Sequence, residues 1–270
     1  MRDITIGQFY PADSVIHKLD PRVKLIATFA FLISLFVGKG ILAYVIATVF
    51  LAAIIKLSKV PFKMIMKGLK AIIIILLITV SFNLFLTDGE ILFQLGFLKV
   101  TKEGVSVAFF MALRLIYLVV GASLMTLTTT PNDLTDGLES VLAPLNKIKV
   151  PVHEISMMMS IALRFIPILM EETDRIMKAQ KARGADFDSG NLIQKAKSMI
   201  PLLVPLFISA FRRANDLAMA MEARCYRGGE GRTKMKPLRY EKRDRIAYVI
   251  LAVYLVVMIF AAKVFGLILG

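Results

Sequence analysis

Five long apolar stretches constrain this chain more than any other feature of its sequence. They cover residues 23–37, 41–57, 71–86, 105–128 and 246–269, and Gly38-Lys39-Gly40 separates the first two as a tight helical hairpin. About 20 apolar residues in a helix cross the roughly 30 Å hydrocarbon core of a bilayer, where unpaired backbone groups are not tolerated. Since 57% of all residues are hydrophobic, the chain is too apolar for a water-soluble fold. We therefore expect an all-α membrane protein with five transmembrane helices.

Charge counts in the connecting segments predict how these helices are oriented. The segment between the second and third stretches contains five lysines and no acidic residue, namely Lys56, Lys59, Lys63, Lys67 and Lys70. The segment after the third stretch contains two lysines and three acidic residues. Because cytoplasmic loops hold the excess of Lys and Arg, the lysine-rich segment is expected inside the cell. The N-terminus and the long 129–245 connection then lie in the cytoplasm, and the C-terminus lies outside.

The 129–245 connection is too long for a loop, and its sequence predicts three helices. The first begins at Thr130-Pro131 and reaches about residue 146, the second ends at Arg183 before Gly184, and the third runs from about residue 191 to Tyr226. Their apolar runs are short and interrupted by Arg and Pro, which favours amphipathic helices lying along the membrane surface. A cytoplasmic domain with its own core is the alternative. The predicted division is 1–128, 129–231 and 232–270, comprising the first four membrane helices, the three amphipathic helices, and a basic linker with the fifth membrane helix.

Both long helices of this connection end in a similar three-residue sequence. These are Ala182-Arg183-Gly184 and Ala223-Arg224-Cys225. The helix dipole favours an arginine at a helix C-terminus, and this effect explains either sequence on its own. Their repetition instead favours docking on a soluble protein, where a guanidinium group pairs with a carboxylate.

The same connection holds more than half of the chain's 15 methionines. Flexible, polarizable methionine side chains let one surface pack against several partners, although they also fill gaps between helices. The candidate binding surface consists of Met157, Met158, Met159, Met199, Met219 and Met221.

The helix-end sequences and the amino-terminal sequence together resemble the transmembrane T component of energy-coupling factor (ECF) transporters. That family has paired Ala-Arg-Gly-type motifs at the ends of two cytoplasmic coupling helices. Its amino-terminal signature resembles FYPADSVIHKLDPRVKL, in which Asp20 and Pro21 are expected to start the first helix, with Arg22 and Lys24 at the headgroups. The five-helix plan is also similar, so the resemblance covers nearly the whole chain.

The resemblance implies a non-catalytic subunit of an ABC-type importer, without a cofactor. Such subunits sit between two ABC-type ATPase subunits and a small membrane-embedded S component that binds the substrate. It implies that Arg183 and Arg224 each dock on one ATPase, and that ATP-driven closure of the ATPases moves the helix ends. That motion would shift the S component and carry a vitamin or other micronutrient inward. The methionine surface would then accept interchangeable S components.

Cys225 departs from this family pattern, which usually has glycine at the end of the second motif. Because a left-handed conformation is costly for a residue with a Cβ atom, we expect the helix to continue to Tyr226-Arg227-Gly228. Either Arg224 or Arg227 would then dock in the groove of the second ATPase. The register with the first motif favours Arg224.

Other functions receive weaker support from the sequence. A T-like subunit of a dedicated cobalt or nickel importer is the main alternative. A membrane-surface enzyme using His153, Glu154 and Arg164 is another, but no nucleophile or second base lies near His153. The sequence has no Gly-x-x-x-x-Gly-Lys-[Ser/Thr] motif, so ATP hydrolysis is expected from a partner.

The remaining charged residues favour a contact with lipid and a structural role. The basic segment 232–245 directly precedes a membrane helix, so anionic lipid explains it better than nucleic acid. Arg114 is the one ionisable residue away from the ends of the apolar stretches, which disfavours a channel or proton pathway. A structural role is expected for Arg114. With one cysteine and two distant histidines, no metal site is expected.

Overall fold

A computed structural model describes residues 9–38, 40–70, 72–95, 98–187, 191–229, 235 and 237–269. Apart from one short hairpin, the described chain is helical. The elements are α1 (Pro21–Val37), α2 (Gly40–Ser58), α3 (Phe62–Lys70), α4 (Ile73–Leu86), β1 (Ile91–Leu95), β2 (Leu98–Thr101), α5 (Lys102–Thr128), α6 (Pro131–Leu142), a 3₁₀ helix (Ala143–Ile148), α7 (Val152–Ala182), α8 (Leu192–Ser198), α9 (Ile200–Ala223) and α10 (Lys242–Leu269).

The chain divides into two compact units. The first comprises Met1–Val141 with Leu238–Gly270, and the second comprises Leu142–Pro237. The predicted boundaries at residues 128 and 231, which describe functional segments, remain a prediction.

The core of the first unit forms where α1, α2, α5 and α10 pack together. Phe50 and Tyr254 stack with ring centroids 4.1 Å apart, and the Tyr254 hydroxyl forms a 2.8 Å hydrogen bond with Ser34 Oγ. Many large apolar side chains on the same helices remain exposed, among them Ile41, Ile74 and Phe260. A helix that is apolar on all sides suits a hydrocarbon surrounding, so these outward side chains are expected to face lipid.

Among the described residues, four helices are long and apolar enough to cross a membrane by length and composition. They are α2, α5, α7 and the Lys242–Lys263 part of α10, and α3 with α4 makes a fifth if this bent pair is one span. The chain is therefore a multi-pass, all-α membrane protein. Two helices differ from the prediction. The first apolar stretch forms α1, which has only 17 residues and is about 26 Å long, whereas α7, expected to lie along the surface, has a span's length.

The connecting segments contain more regular structure than predicted. The lysine-rich segment forms α3, whose lysines recur at helical spacing while Ile65 is buried. The segment after α4 forms the antiparallel hairpin β1–β2. The third predicted helix of the long connection is two helices, because α8 ends at Ser198 and Pro201, which lacks an N–H, lies in the first turn of α9.

Buried polar contacts join the start of α1 to the start of α10. As predicted, Asp20 caps α1, accepting a 2.9 Å bond from the Arg22 backbone N–H. The Asp20 carboxylate also pairs with the Arg22 guanidinium group, which lies 3.9 Å from the centre of the Tyr240 ring. The Asp244 carboxylate accepts the Asp20 N–H at 2.9 Å and the Glu241 N–H at 2.8 Å. A residue of the last helix thus satisfies backbone donors at both helix starts.

Lys24 does not extend to the headgroups as predicted. Its side chain is buried, and Nζ donates to the backbone oxygens of His17 at 3.0 Å and Thr128 at 2.8 Å. Thr128 ends α5, where the helix dipole is negative and favours a cation. The prediction of a headgroup contact for Arg22 is also wrong, because its side chain is only 16% exposed and pairs with Asp20.

This network predicts the effect of Asp244→Ala on stability. The change leaves the Asp20 and Glu241 N–H groups without their acceptor, which is expected to cost about 2 kcal/mol of unfolding free energy. Glu241→Gln is the matched control, because it alters only an exposed side chain and leaves the Glu241 N–H in place. Thermal unfolding in detergent measures both variants, and equal midpoints would contradict this role of Asp244.

Two arginine-bearing helix ends as the candidate functional site

The first candidate end, at the C-terminus of α7, has a left-handed cap. The helix ends at Ala182, Arg183 is the C-cap residue, and Gly184 has a φ of 89°. The Gly184 N–H donates to Lys181 O and the Ala185 N–H to Gln180 O, both at 3.0 Å. This is the Schellman arrangement, which supplies donors to the last carbonyl groups of a helix.

The second candidate end, at the C-terminus of α9, has the same arrangement. Arg224 is the C-cap residue, and Cys225 takes the left-handed position with a φ of 56°. The Cys225 N–H donates to Glu222 O at 2.8 Å, and the Tyr226 N–H donates to Met221 O at 3.0 Å. The expected continuation of the helix to Arg227 is therefore wrong. The two hydrogen bonds offset the cost of about 1–2 kcal/mol for a left-handed residue with a Cβ atom.

The two arginines consequently occupy equivalent positions. Arg183 and Arg224 are both C-cap residues, with φ values of −86° and −93°, whereas Arg227 lies three residues beyond the cap. All six predicted docking residues are exposed: Ala182, Arg183, Gly184, Ala223, Arg224 and Cys225. Within the described part of the chain, neither guanidinium group has a hydrogen bond or ion pair. Each end therefore presents an unpaired cation at a helix terminus.

Helices α7 and α9 pack in antiparallel order. Near the end of α7, Gln180 Nε2 donates to the backbone oxygen of Pro201, in the first turn of α9. Earlier in α7, Phe165 lies around the same apolar cleft as Leu217, near the end of α9. Residues late in α7 therefore lie beside residues early in α9, and residues earlier in α7 lie beside residues late in α9. Arg183 and Arg224 therefore lie at opposite ends of the helix pair.

The predicted methionine surface is divided between these two ends. Met158, Met159, Met199 and Met219 are exposed, whereas Met157 and Met221 are half-buried. Because the helices are antiparallel, Met157–Met159 at the start of α7 lie towards the end that carries Met219 and Met221. Met199 lies at the opposite end, just before α9.

A larger apolar surface lies along α9, and sequence reasoning gave it too little weight. It consists of exposed aliphatic and aromatic side chains, here called the α9 stripe: Ile200, Leu203, Val204, Phe207, Ile208 and Phe211. Their spacing follows one face of a helix and was visible in the sequence as an apolar run.

The structure does not bring the proposed enzyme residues together. His153 and Arg164 lie on the same helix and are separated by eleven positions, or about 16 Å along its axis. In the first unit, the Arg114 guanidinium carbon lies 5.4 Å from the centre of the Phe36 ring, and Nη1 contacts Met111 Sδ at 3.7 Å. The described residues offer no hydrogen-bond acceptor to Arg114 Nε. The role of Arg114 remains a prediction.

The two caps predict opposite effects of substitution on local stability. Gly184→Ala places a Cβ atom at a φ of 89° in open space, so its cost is conformational and about 1–2 kcal/mol. Cys225→Gly removes the corresponding cost at the second end. Hydrogen exchange of the Ala185 amide is expected to become about tenfold faster in Gly184→Ala, and that of the Tyr226 amide slower in Cys225→Gly. Unchanged exchange at both amides would contradict the cap assignment.

Comparisons with known proteins agree with this architecture. The family profile described as "CbiQ: Cobalt transport protein" matches residues 12–235. The energy-coupling factor transporter transmembrane protein EcfT of Clostridium kluyveri is 59% identical over 249 residues, covering 92% of each chain. The EcfT proteins of Thermosediminibacter oceani and Bacillus subtilis are 57% and 49% identical, covering 92% and 96% of this chain and 94% and 98% of theirs. The chain therefore belongs to the EcfT family of energy-coupling factor transporter transmembrane proteins.

Proposed function

We propose that this chain transmits ATP-driven motion from two ABC-type ATPase subunits to a substrate-binding S component. The observation that carries the proposal is the equivalence of the two helix ends. Arg183 and Arg224 have the same cap conformation, are exposed, and have no counter-charge among the described residues. Two equivalent cationic ends suit two ATPase subunits of similar structure.

The chemistry of each contact follows from the guanidinium group. Its planar donors pair with a carboxylate in a bidentate geometry, so each arginine is proposed to enter an acidic groove on one ATPase. The Schellman bonds hold the backbone on either side of the arginine, so the end is ordered before docking. Helix α7, with Pro167 in its interior, and helix α9, with Pro205, then convey displacement of their ends along their length.

The apolar side chains of the second unit support a membrane-embedded partner. The α9 stripe and the exposed methionines are proposed to contact the S component, which carries a vitamin or other micronutrient inward. Flexible methionines suit several S components that share one copy of this subunit. In this proposal the chain neither hydrolyses ATP nor binds the transported substrate.

The proposal retains the orientation and division expected from charge. The N-terminus and the 129–231 segment, including α7 in spite of its span-like length, are proposed to be cytoplasmic and the C-terminus extracellular, since the lysine-rich segment that includes α3 is expected inside. The basic segment 232–245 is proposed to bind anionic headgroups.

A dedicated cobalt or nickel importer is the second candidate function. The description of the matching family profile favours it, whereas the curated relatives are named EcfT without a substrate. Copurification from native membranes distinguishes the two functions, because an S component that binds a vitamin or one that binds a metal ion would be recovered.

The docking proposal predicts the behaviour of a charge-reversal variant. Arg183→Glu with Arg224→Glu places anions against acidic grooves, so ATP-dependent uptake is expected to fall to background and the ATPases to be lost on copurification. Each single change is expected to give a partial loss. Uptake into cells and pull-down from detergent extracts measure these effects.

Arg227→Glu is the matched control for this experiment. It makes the same charge change on an exposed residue three positions beyond the second cap, so near-normal uptake is expected. Retention of both ATPases by the double variant would contradict the docking proposal. Loss of the ATPases in Arg227→Glu alone would transfer the second contact to Arg227.

A further inference from the structure

We propose that the ion pair between Glu172 of α7 and Arg213 of α9, here called the crossing pair, is the positioning element that keeps the two arginine ends in register. This inference rests on the proposed function and names residues outside the two proposed docking ends. Its role is to make motion of one helix end move the other helix.

The crossing pair lies where α7 and α9 pack against each other. Arg213 Nη2 donates to Glu172 Oε2 at 3.3 Å, and the two side chains are only 35% and 28% exposed. Arg213 also lines the apolar cleft that includes Phe165 and Leu169 of α7. Glu172 is the one ion-pair partner that the described residues give Arg213, and they offer no acceptor to its buried Nε atom.

The position of the crossing pair relative to the two ends is symmetric. Glu172 lies eleven residues before Arg183, and Arg213 lies eleven residues before Arg224. Each arginine is therefore about 16 Å along its helix from the crossing pair. Because α7 and α9 are antiparallel, the crossing pair divides the helix pair into two arms of equal length.

A polar contact suits this position better than apolar contacts alone. Ala210 and Ala214 of α9 line the same cleft as Arg213, but small and aliphatic side chains resist sliding and rotation weakly. A charged pair in a partly apolar cleft has a defined geometry and is screened less than an exposed pair. Buried polar groups are well attested as devices that fix the register of packed helices.

Loss of the crossing pair is expected to weaken the coupling between α7 and α9 while the docking of the ATPases stays intact. With the crossing pair present, displacement of Arg183 turns α9 together with α7. Without it, the helices slide past one another, so the ATPases remain bound and hydrolyse ATP while less motion reaches the α9 stripe. The ratio of substrate transported to ATP hydrolysed is therefore the informative quantity.

The test uses the complete transporter with its ATPases and S component. Arg213→Glu is expected to lower the transport-to-hydrolysis ratio at least tenfold while the ATPases still copurify, since both helix ends are unchanged. Exchanging the charges, with Glu172→Arg and Arg213→Glu together, is expected to restore the ratio to within about threefold of the original protein. Glu171→Arg, which alters the exposed neighbour of Glu172, is the matched control and should have little effect.

Several results would overturn the crossing-pair proposal. These are an unchanged ratio in Arg213→Glu, a charge exchange that is folded and ATPase-bound without restored coupling, or loss of the ATPases from Arg213→Glu. Failure of the docking proposal is distinguishable, because it shows as retained ATPases in the Arg183→Glu, Arg224→Glu variant.

A milder pair of changes covers the case in which Arg213→Glu does not fold. Glu172→Gln removes the charge and keeps the side-chain shape, whereas Arg213→Gln removes the charge and shortens the side chain. Each is expected to lower the ratio several-fold, and the double variant should lose no more than either single variant, because both changes remove the same interaction. Additive losses would overturn the proposal.

Discussion

The packing of α7 against α9 is the interaction on which the proposed mechanism depends. The two helices run antiparallel, so their C-terminal arginines face in opposite directions, on the order of 30 Å apart along the helix pair. A pair of this form has the geometry to contact two separate proteins at once. The cleft at the centre of the pair is apolar, with small residues on α9, and the Glu172–Arg213 ion pair contributes its defined polar contact. The register of the two arms is proposed to depend on this one short contact region.

The helix ends show how a backbone arrangement positions a functional charge. Both ends use left-handed caps whose N–H groups bond the last carbonyl oxygens, and both place arginine immediately before the left-handed residue. Glycine adopts this conformation without cost at Gly184, whereas Cys225 adopts it because the same hydrogen bonds form. In the first unit, side chains satisfy the free backbone groups at helix ends. Asp20 and Asp244 satisfy the backbone donors at two helix starts that are distant in sequence.

Much of the fold was predictable from local sequence signals, and the departures have physical causes. Asp20-Pro21 and Thr130-Pro131 start helices, and Gly184 ends one, because these residues satisfy or remove orphan backbone groups. The α3 helix was not predicted, because the lysine-rich segment resembles a charged loop, although Lys63, Lys67 and Lys70 recur at helical spacing. The end of α9 at Cys225 differs from the prediction because two hydrogen bonds offset the steric cost of its left-handed conformation. Lys24 was assigned to the headgroups because its backbone acceptor at Thr128 lies 104 residues away.

The candidate site was only partly accessible to sequence reasoning. The repeated Ala-Arg sequence identified Arg183 and Arg224, since repetition is a local signal. The crossing pair required knowledge that α7 and α9 are antiparallel neighbours, because Glu172 and Arg213 are 41 residues apart and each resembles an ordinary surface charge. Packing therefore revealed the polar contact that periodicity did not.

The central claim, that nucleotide-driven motion of the ATPases displaces the two helix ends, is tested most directly by a distance measurement. Spin labels on Lys178→Cys, exposed near the end of α7, and on Val15→Cys, exposed in the first unit ahead of α1, are introduced with Cys225→Gly, so that these are the only two cysteines. Pulsed electron paramagnetic resonance then records the distance between the labels in the complete transporter. We predict that ATP shifts this distance by several ångströms, and that the shift disappears when Arg183 and Arg224 are both changed to Glu. The same distance distribution with and without ATP would contradict the claim.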